Sequence, residues 1–182
     1  EIMKHNVRLI ISNERIDNSE NNLLKLSTNE AHYLDNVIRK KTGDEVYVVN
    51  GKGSLWKGIK KDNSQIDLFD INHPLLFREK EKILIGLAIS IPKKGFDDVL
   101  KMCTEIGVDL IQPIYSQFQL KKGSEKSSQT KRWDKILNES VEQSERLWKP
   151  KLFKTIDINE WLDSLNKKDN ISISITRKDD CL

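Results

Sequence analysis

Cations recur along this chain in pairs and triplets: Arg39-Lys40-Lys41, Lys60-Lys61, Lys93-Lys94, Lys121-Lys122 and Lys131-Arg132. Lysine and arginine so clustered displace counterions from nucleic-acid phosphates. The competing reading is a plain solvated surface, and composition alone does not separate the two. Glu142 and Arg146 are i,i+4 neighbours in a helical stretch that also carries Gln143, and an ion pair at that spacing supports a helix by only about 0.3–0.5 kcal/mol. Glu105 stands two residues before Gly107, where a carboxylate faces the negative end of a helix dipole. A basic partner on the long helix, such as Arg146, is expected for it; the alternative is an exposed carboxylate held by nothing.

Other chemistries find no footing. Asn50-Gly51-Lys52-Gly53-Ser54 joins two strands and precedes no helix, so it is a turn and not a phosphate-binding loop. There is no Gly-x-Ser-x-Gly elbow, no His-Glu-x-x-His and no paired-cysteine signature. Two distant cysteines, Cys103 and Cys181, and three scattered histidines offer no metal-ligand spacing. A reducing cytoplasm is the simpler setting for such cysteines. Cys103 falls on the apolar side of a helix and is expected in the core; His32, a lone histidine, carries no mechanism by itself.

The elements that must position these groups follow from patterning. With 37% hydrophobic and 32% charged residues, net charge +3, the chain is globular and polar-surfaced. No apolar run approaches the ~20 residues of a transmembrane helix, and no secretory signal is visible. Residues 7–11 read as a strand. Ser27-Thr28-Asn29-Glu30 has the form of a capping box, opening a helix with Ala31, Leu34, Val37 and Ile38 inward, ending in Arg39-Lys40-Lys41 and closed by Gly43. Alternation around Val46 and Val48 and the turn at Asn50-Gly51 mark a hairpin, and residues 65–71 a third strand. Together these suggest a small barrel over residues 1–74, with 75–82 as a linker.

The pattern then changes. Residues 83–90 form a continuous apolar run, as in a strand covered on both faces. A helix with Phe96, Val99, Leu100 and Cys103 inward stops at Gly107, and residues 109–115 give a second strand. A long helix over 127–147 aligns Trp133, Ile136, Leu137, Val141 and Ser144. Residues 151–156 read as a third strand, Asp157 and Glu160 cap a short helix, and 171–175 read as a fourth strand. Such alternation implies a parallel α/β sheet over residues 83–182. Lys93 and Lys94 then lie at the C-terminal end of its first strand, where open parallel sheets place their ligands. Trp133, Trp148 and Trp161 would either stack bases or anchor helices in the core or in a dimer contact.

Three segments in succession, EAHYLDNVIRKKTGDEVYVVNGKG, LAISIPKKGFDDVLKMCTEIGVDLIQPIYSQ and RWDKILNESVEQSERLWKPKL, resemble the RsmE family of ribosomal RNA methyltransferases. The resemblance covers nearly the whole chain. It implies an α/β architecture in which an N-terminal PUA-like β-barrel precedes an α/β-knot (SPOUT) domain with a parallel sheet. It also implies methylation of uridine N3 in small-subunit (16S) ribosomal RNA with S-adenosylmethionine, and a cytoplasmic homodimer whose partner is ribosomal RNA or the small ribosomal subunit.

Residue by residue, Arg8-Leu9-Ile10 matches the family's first strand. His32 to Arg39 matches H-x-L-x-R-V-L-R with Asn36 for its first arginine. Thr104 to Val108 matches T-E-L-G-V, and Glu142 to Arg146 matches E-Q-S-G-R with Glu145 for glycine. The resemblance makes Arg8, Arg39, Lys40 and Lys41 the barrel's RNA surface. Lys93 and Lys94 would neutralise phosphates near the reaction, Gln143 and Arg146 would read a flipped base or its phosphate, and Glu105 and Glu142 would support the site. Chemistry on a base edge requires the base to leave its stack. The family's G-P-E-G-G loop and L-G-x-R-I-L-R-x-E-T segment have no match here. The cofactor-binding residues are therefore expected beyond Leu182, with the second domain incomplete without them. No residue stands out as the general base. Two other readings remain: a non-catalytic RNA-binding module, and a SPOUT enzyme of another substrate, since a fold does not fix chemistry.

Overall fold

The computed structural model describes residues 7–62, 64–115 and 127–165. A first sheet has the order β1-β3-β4-β5-β2, built from β1 (Arg8–Ile10), β2 (Leu23–Lys25), β3 (Glu45–Val49), β4 (Ser54–Asp62) and β5 (Gln65–Leu68). β1 runs parallel to β3, and the remaining pairs are antiparallel. A two-residue strand, β6 (Leu76–Phe77), pairs with β4, so part of the expected linker belongs to this sheet. The strands alternate buried and open residues and curl around one core of Leu9, Leu24, Val46, Val48, Trp56, Ile66 and Leu68. Ile16 from helix α1 (Asn13–Asp17) and Leu34 close it. This is the PUA-like barrel.

The expected capping box is present. The Ser27 hydroxyl accepts the Glu30 amide, and the Glu30 carboxylate accepts the Ser27 amide at 2.7 Å. It opens α2 (Thr28–His32), which loosens at once into a π-helical turn, Tyr33–Val37. Two expectations fail here. Val37 is exposed, because the wider turn rotates it away from Leu34, and the helix is ended by Arg39 in the left-handed region, φ +60°, rather than by Gly43. Gly43 donates its amide to the Lys60 carbonyl and serves the entry to β3.

The second sheet is parallel, as expected. β8 (Leu110–Tyr115) is central, with β7 (Gly86–Ser90) on one side and β9 (Lys151–Leu152) and β10 (Ile156–Asp157) on the other. Helices α3 (Phe96–Ile106) and α4 (Ser127–Gln143) bury Phe96, Leu100, Cys103, Trp133, Ile136 and Leu137 against Leu87, Ile89 and Ile111. Trp133 meets Phe96 edge-on, with ring centroids 4.7 Å apart. Burial pushes the Cys103 thiol up, as suits a core cysteine.

Three boundaries differ from expectation. Ile83, Leu84 and Ile85 are exposed and lie ahead of β7, itself only half-buried, so that apolar run is not a strand covered on both faces. The long helix stops at Gln143 rather than Leu147, because Glu145 turns to φ +57°. The third strand is two pieces, with the Lys154 carbonyl taken by the Gln112 side chain at 2.7 Å. Asp157 caps α5 (Ile158–Ser164) through the Asn159 amide. The expected strand at 171–175, Lys121-Lys122 and Cys181 lie outside the described residues.

Candidate nucleic-acid interface

The barrel's cations sit on a tight, bonded turn. The Ile38 amide donates to the Tyr33 carbonyl at 2.9 Å, and the Lys40 amide reaches back to Leu34 at 2.8 Å. Between them, Arg39 occupies a left-handed conformation that costs a non-glycine residue roughly 1 kcal/mol. The Lys41 amide donates to Asp44 Oδ2 at 2.8 Å. Arg39 and Lys41 project into solvent, and Lys40 is half-buried.

A second cationic site lies beyond the C-terminal end of β7. The loop Ile91–Gly95, the first turn of α3 and the stretch of α4 from Ser128 to Trp133 border a cleft of about 470 Å³, whose polar lining is Lys93, Lys94, Asp97, Ser128, Gln129 and Arg132. Gly95, at φ +84°, makes the turn into α3. Arg132 pairs with Asp97, while Lys93 and Lys94 are exposed. Lys93 and Lys94, beside the N-terminus of α3, suit phosphate. This cationic lining does not suit the sulfonium of S-adenosylmethionine, so the cleft is not that cofactor's site.

Between these two sites runs a seam that joins barrel and sheet. Val49 and Leu55 of the barrel share a core with Val141 and Leu147, and Ile10, Tyr47 and Trp148 pack around it. The Gly53 amide donates to the Leu147 carbonyl at 2.9 Å and the Lys149 amide to Gly51 at 3.0 Å. Gly53, at φ +99°, packs against the Trp148 ring, whose Nε1 donates to the Arg78 carbonyl at 3.1 Å. Trp148 is therefore a clamp between the two halves rather than an open stacking surface.

Several expected site residues belong to this seam. Arg8 is largely enclosed; it donates to the Glu145 carbonyl and pairs with its carboxylate at 2.9 Å, so it is not on the open barrel surface. Glu142 does not pair with Arg146, since the helix ends one residue after it. Its Oε1 accepts the Ile10 amide at 2.9 Å, and burial, with Glu139 and Glu30 nearby, lifts its carboxyl to about 7. Arg146 turns the other way, lying against Gly107 and donating to the backbone carbonyl of Glu105 at 3.4 Å. Glu105 thus meets its expected partner through its backbone, because a guanidinium at a helix C-terminus finds unpaired carbonyls there. Its own carboxylate is exposed, as is Gln143.

The structure brings Lys93 and Lys94 together with Arg132, and groups Arg39 with Lys40 and Lys41, on either side of the seam. Sequence reading missed two groups. Lys60 is 2% exposed and pairs with Asp35 at 2.7 Å. The signal was strand alternation, which sets Lys60 on the same face as Trp56 and Gly58. Arg132 was legible only as one of a cation pair.

A curled barrel welded to a parallel α/β sheet, with cations on a barrel turn and in a cleft beyond a strand end, is a two-part architecture open to comparison with known families. Residues 79–181 match the RNA methyltransferase domain family, and residues 26–59 match its RNA methyltransferase PUA domain. The chain belongs to that RNA methyltransferase domain family. Two relatives, each named Ribosomal RNA small subunit methyltransferase E, are similar to it. The protein of Synechocystis sp. is 27% identical over 91% of this chain and 53% of its own length; that of Rickettsia conorii is 29% identical over 90% and 65%. The chain therefore spans about half to two thirds of the curated relatives it matches.

The fold is shared with the Neisseria gonorrhoeae small-subunit methyltransferase E bound to S-adenosyl methionine (TM-score 0.70, 22% identity, 90% of this chain and 67% of that one). It is shared equally with a Legionella pneumophila methyltransferase in complex with the same cofactor (TM-score 0.70, 19% identity, 90% and 68%). No helix among the described residues is long and apolar enough to cross a membrane.

Proposed function

We propose that this chain is the RNA-gripping part of an S-adenosylmethionine-dependent methyltransferase acting on N3 of a uridine in small-subunit ribosomal RNA. The observation that carries the reading is the cationic cleft at the C-terminal end of β7, set in the sheet that matches the RNA methyltransferase domain. In this reading Arg39, Lys40 and Lys41 hold the RNA backbone on the barrel. Lys93, Lys94 and Arg132 hold phosphates beside the flipped nucleotide, and exposed Gln143 is available to a base edge. Glu142 and Arg8 act by fixing the seam, and Arg146, on the Glu105 carbonyl, ties the end of α3 to the segment after α4. The methyl group would come from S-adenosylmethionine, and the uridine N3 proton must leave as the new bond forms. Holding base and donor in register supplies most of the rate.

The same reading divides the chain into a barrel (1–74), a connection (75–82) whose Leu76–Phe77 strand still pairs with the barrel sheet, and the methyltransferase part (83–182). It makes the protein a cytoplasmic homodimer, as the resemblance implies. The relatives' names and the cofactor bound in two structural neighbours support the methyltransferase reading.

The test is calorimetric titration of the full-length protein with S-adenosylmethionine, followed by transfer of labelled methyl to deproteinised small-subunit ribosomal RNA. Binding and incorporation are expected. Absence of both, with RNA binding intact, would leave the non-catalytic RNA-binding module as the answer.

A further inference from the structure

Lys60 is a buried lysine in the middle of a strand, and the proposed function leaves it unused. It touches the chain on both sides of the cationic turn. Its ammonium lies 2.7 Å from Asp35 Oδ1, in the π-helical turn that precedes Arg39. Its carbonyl accepts the Gly43 amide at 2.7 Å, and its amide donates to the Asp44 carbonyl at 3.0 Å, just after Lys41. One residue of β4 thus staples the segment from 35 to 44 at its two ends, with Arg39, Lys40 and Lys41 as the span between. Inside the span, Lys40 closes onto Leu34 and Lys41 onto Asp44.

A buried ion pair is weak evidence for stability, because desolvating both ions offsets their attraction. What such a pair does supply is a fixed direction. An apolar residue at position 60 would fill the same space without pulling Asp35 toward β4. The left-handed Arg39 and the π-helical turn are both uncommon backbone states, which persist only where the surroundings over-determine them. The β-bulge between Lys60 and Asp62 in the β4–β5 ladder falls at the same place, a device that re-aims a strand's side chains.

We infer that Lys60, through Asp35, is a positioning residue for RNA recognition: it holds Arg39 and Lys41 in the arrangement that meets phosphates without itself touching RNA. This rests on the RNA-binding part of the proposed function.

The test is a double-mutant cycle on affinity for deproteinised small-subunit ribosomal RNA, with Lys60→Met as one arm and Arg39→Ala/Lys41→Ala as the other. All variants are measured well below their unfolding temperatures. Lys60→Met alone should weaken binding about five-fold, and should have no further effect once Arg39 and Lys41 are removed. Independent, multiplicative losses would overturn the inference, as would unchanged affinity in Lys60→Met or in the Arg39→Ala/Lys41→Ala protein. A merely structural Lys60 would lower the unfolding temperature without this coupling. Should Lys60→Met fail to fold, Asp35→Asn keeps an acceptor for Lys60 while removing the charge. Its Lys40 and Lys41 amides should exchange with solvent several-fold faster, and unchanged exchange there would overturn the inference. Failure of the wild-type chain to bind the RNA at all would instead bring down the proposed function.

Discussion

The carboxylate of Glu142, on the last turn of α4, accepts the backbone amide of Ile10, on the first strand of the barrel, at 2.9 Å. This bond crosses the seam between the two parts of the molecule. Because the carboxyl is buried and its neighbours Glu139 and Glu30 are acidic, it holds its proton up to about pH 7.

That raised value fixes a sign. Between the ordinary glutamate range and pH 7 the folded state binds a proton that the unfolded state has released. The contribution of Glu142 to stability is therefore complete at low pH and is lost as pH rises to about 7. Glu142→Gln keeps an oxygen for the Ile10 amide and removes the titration. Its unfolding free energy should fall less between pH 4.5 and 7, and at neutral pH it should exceed wild type by about 3 kcal/mol. Parallel thermal unfolding series of the two proteins read this directly; identical slopes would contradict it.

Arg8 and Glu145 make a second bond across the seam, and they should not respond alike to mutation. Arg8→Ala removes the ion pair, the contact to the Glu145 carbonyl and an enclosed side chain, and should cost about 1–2 kcal/mol. Glu145→Gly loses the same half-exposed pair but relieves a left-handed residue at φ +57°, worth roughly 1 kcal/mol. It should stay within about 0.5 kcal/mol of wild type. Urea unfolding of both variants checks the ordering.

Gly107 and Gly43 share nearly the same positive φ, +89° and +96°, yet differ in surroundings. Space beside Gly43 is open, while a side chain at Gly107 would strike the Arg146 guanidinium. Gly43→Ala should cost about 1 kcal/mol for its backbone alone. Gly107→Ala should exceed that by about 0.5 kcal/mol, since the Arg146 guanidinium, at the end of a flexible side chain, swings aside and gives up only its long bond to the Glu105 carbonyl. Equal losses in denaturant titrations would mean that Arg146 adds nothing there.

Lys93 and Lys94 should show themselves in salt. If both meet phosphates of unpaired RNA, Lys93→Ala/Lys94→Ala lowers the slope of log affinity against log salt by about 1.4, near 0.7 per contact. It should do so with little change in unfolding temperature, because both side chains are exposed. An unchanged slope would make them ordinary surface lysines.

Much of this architecture is legible in the sequence because local chemistry dictates it. Ser27 with Glu30, Asp157 before its helix, Gly107 after one, and the alternation at Val46 and Val48 each set a feature that the fold retains. Elements without a period of their own were not legible. Helix α1 has five residues and one buried side chain, and β2 has three residues, so neither presents a repeating face. The π-helical turn moved Val37 outward against the helical period. At the seam, helical spacing pairs Glu142 with Arg146, but a left-handed Glu145 intervenes and sends the two side chains to opposite neighbours. The glycine that the resembling family carries at 145 was the available signal for that break. Lys60 read as one of a cation pair because a charged residue is seldom turned inward on a strand; only its partner Asp35, distant in sequence, explains it.

In the proposed function, this protein places a methyl group on uridine N3 of small-subunit ribosomal RNA. Mass spectrometry of nucleosides from that RNA, taken from a strain lacking the gene and from the same strain carrying it again, addresses this most directly. A single 3-methyluridine should disappear in the first strain and return in the second. An unaltered set of methylated nucleosides, or loss of a methyl group from a different base, would contradict it.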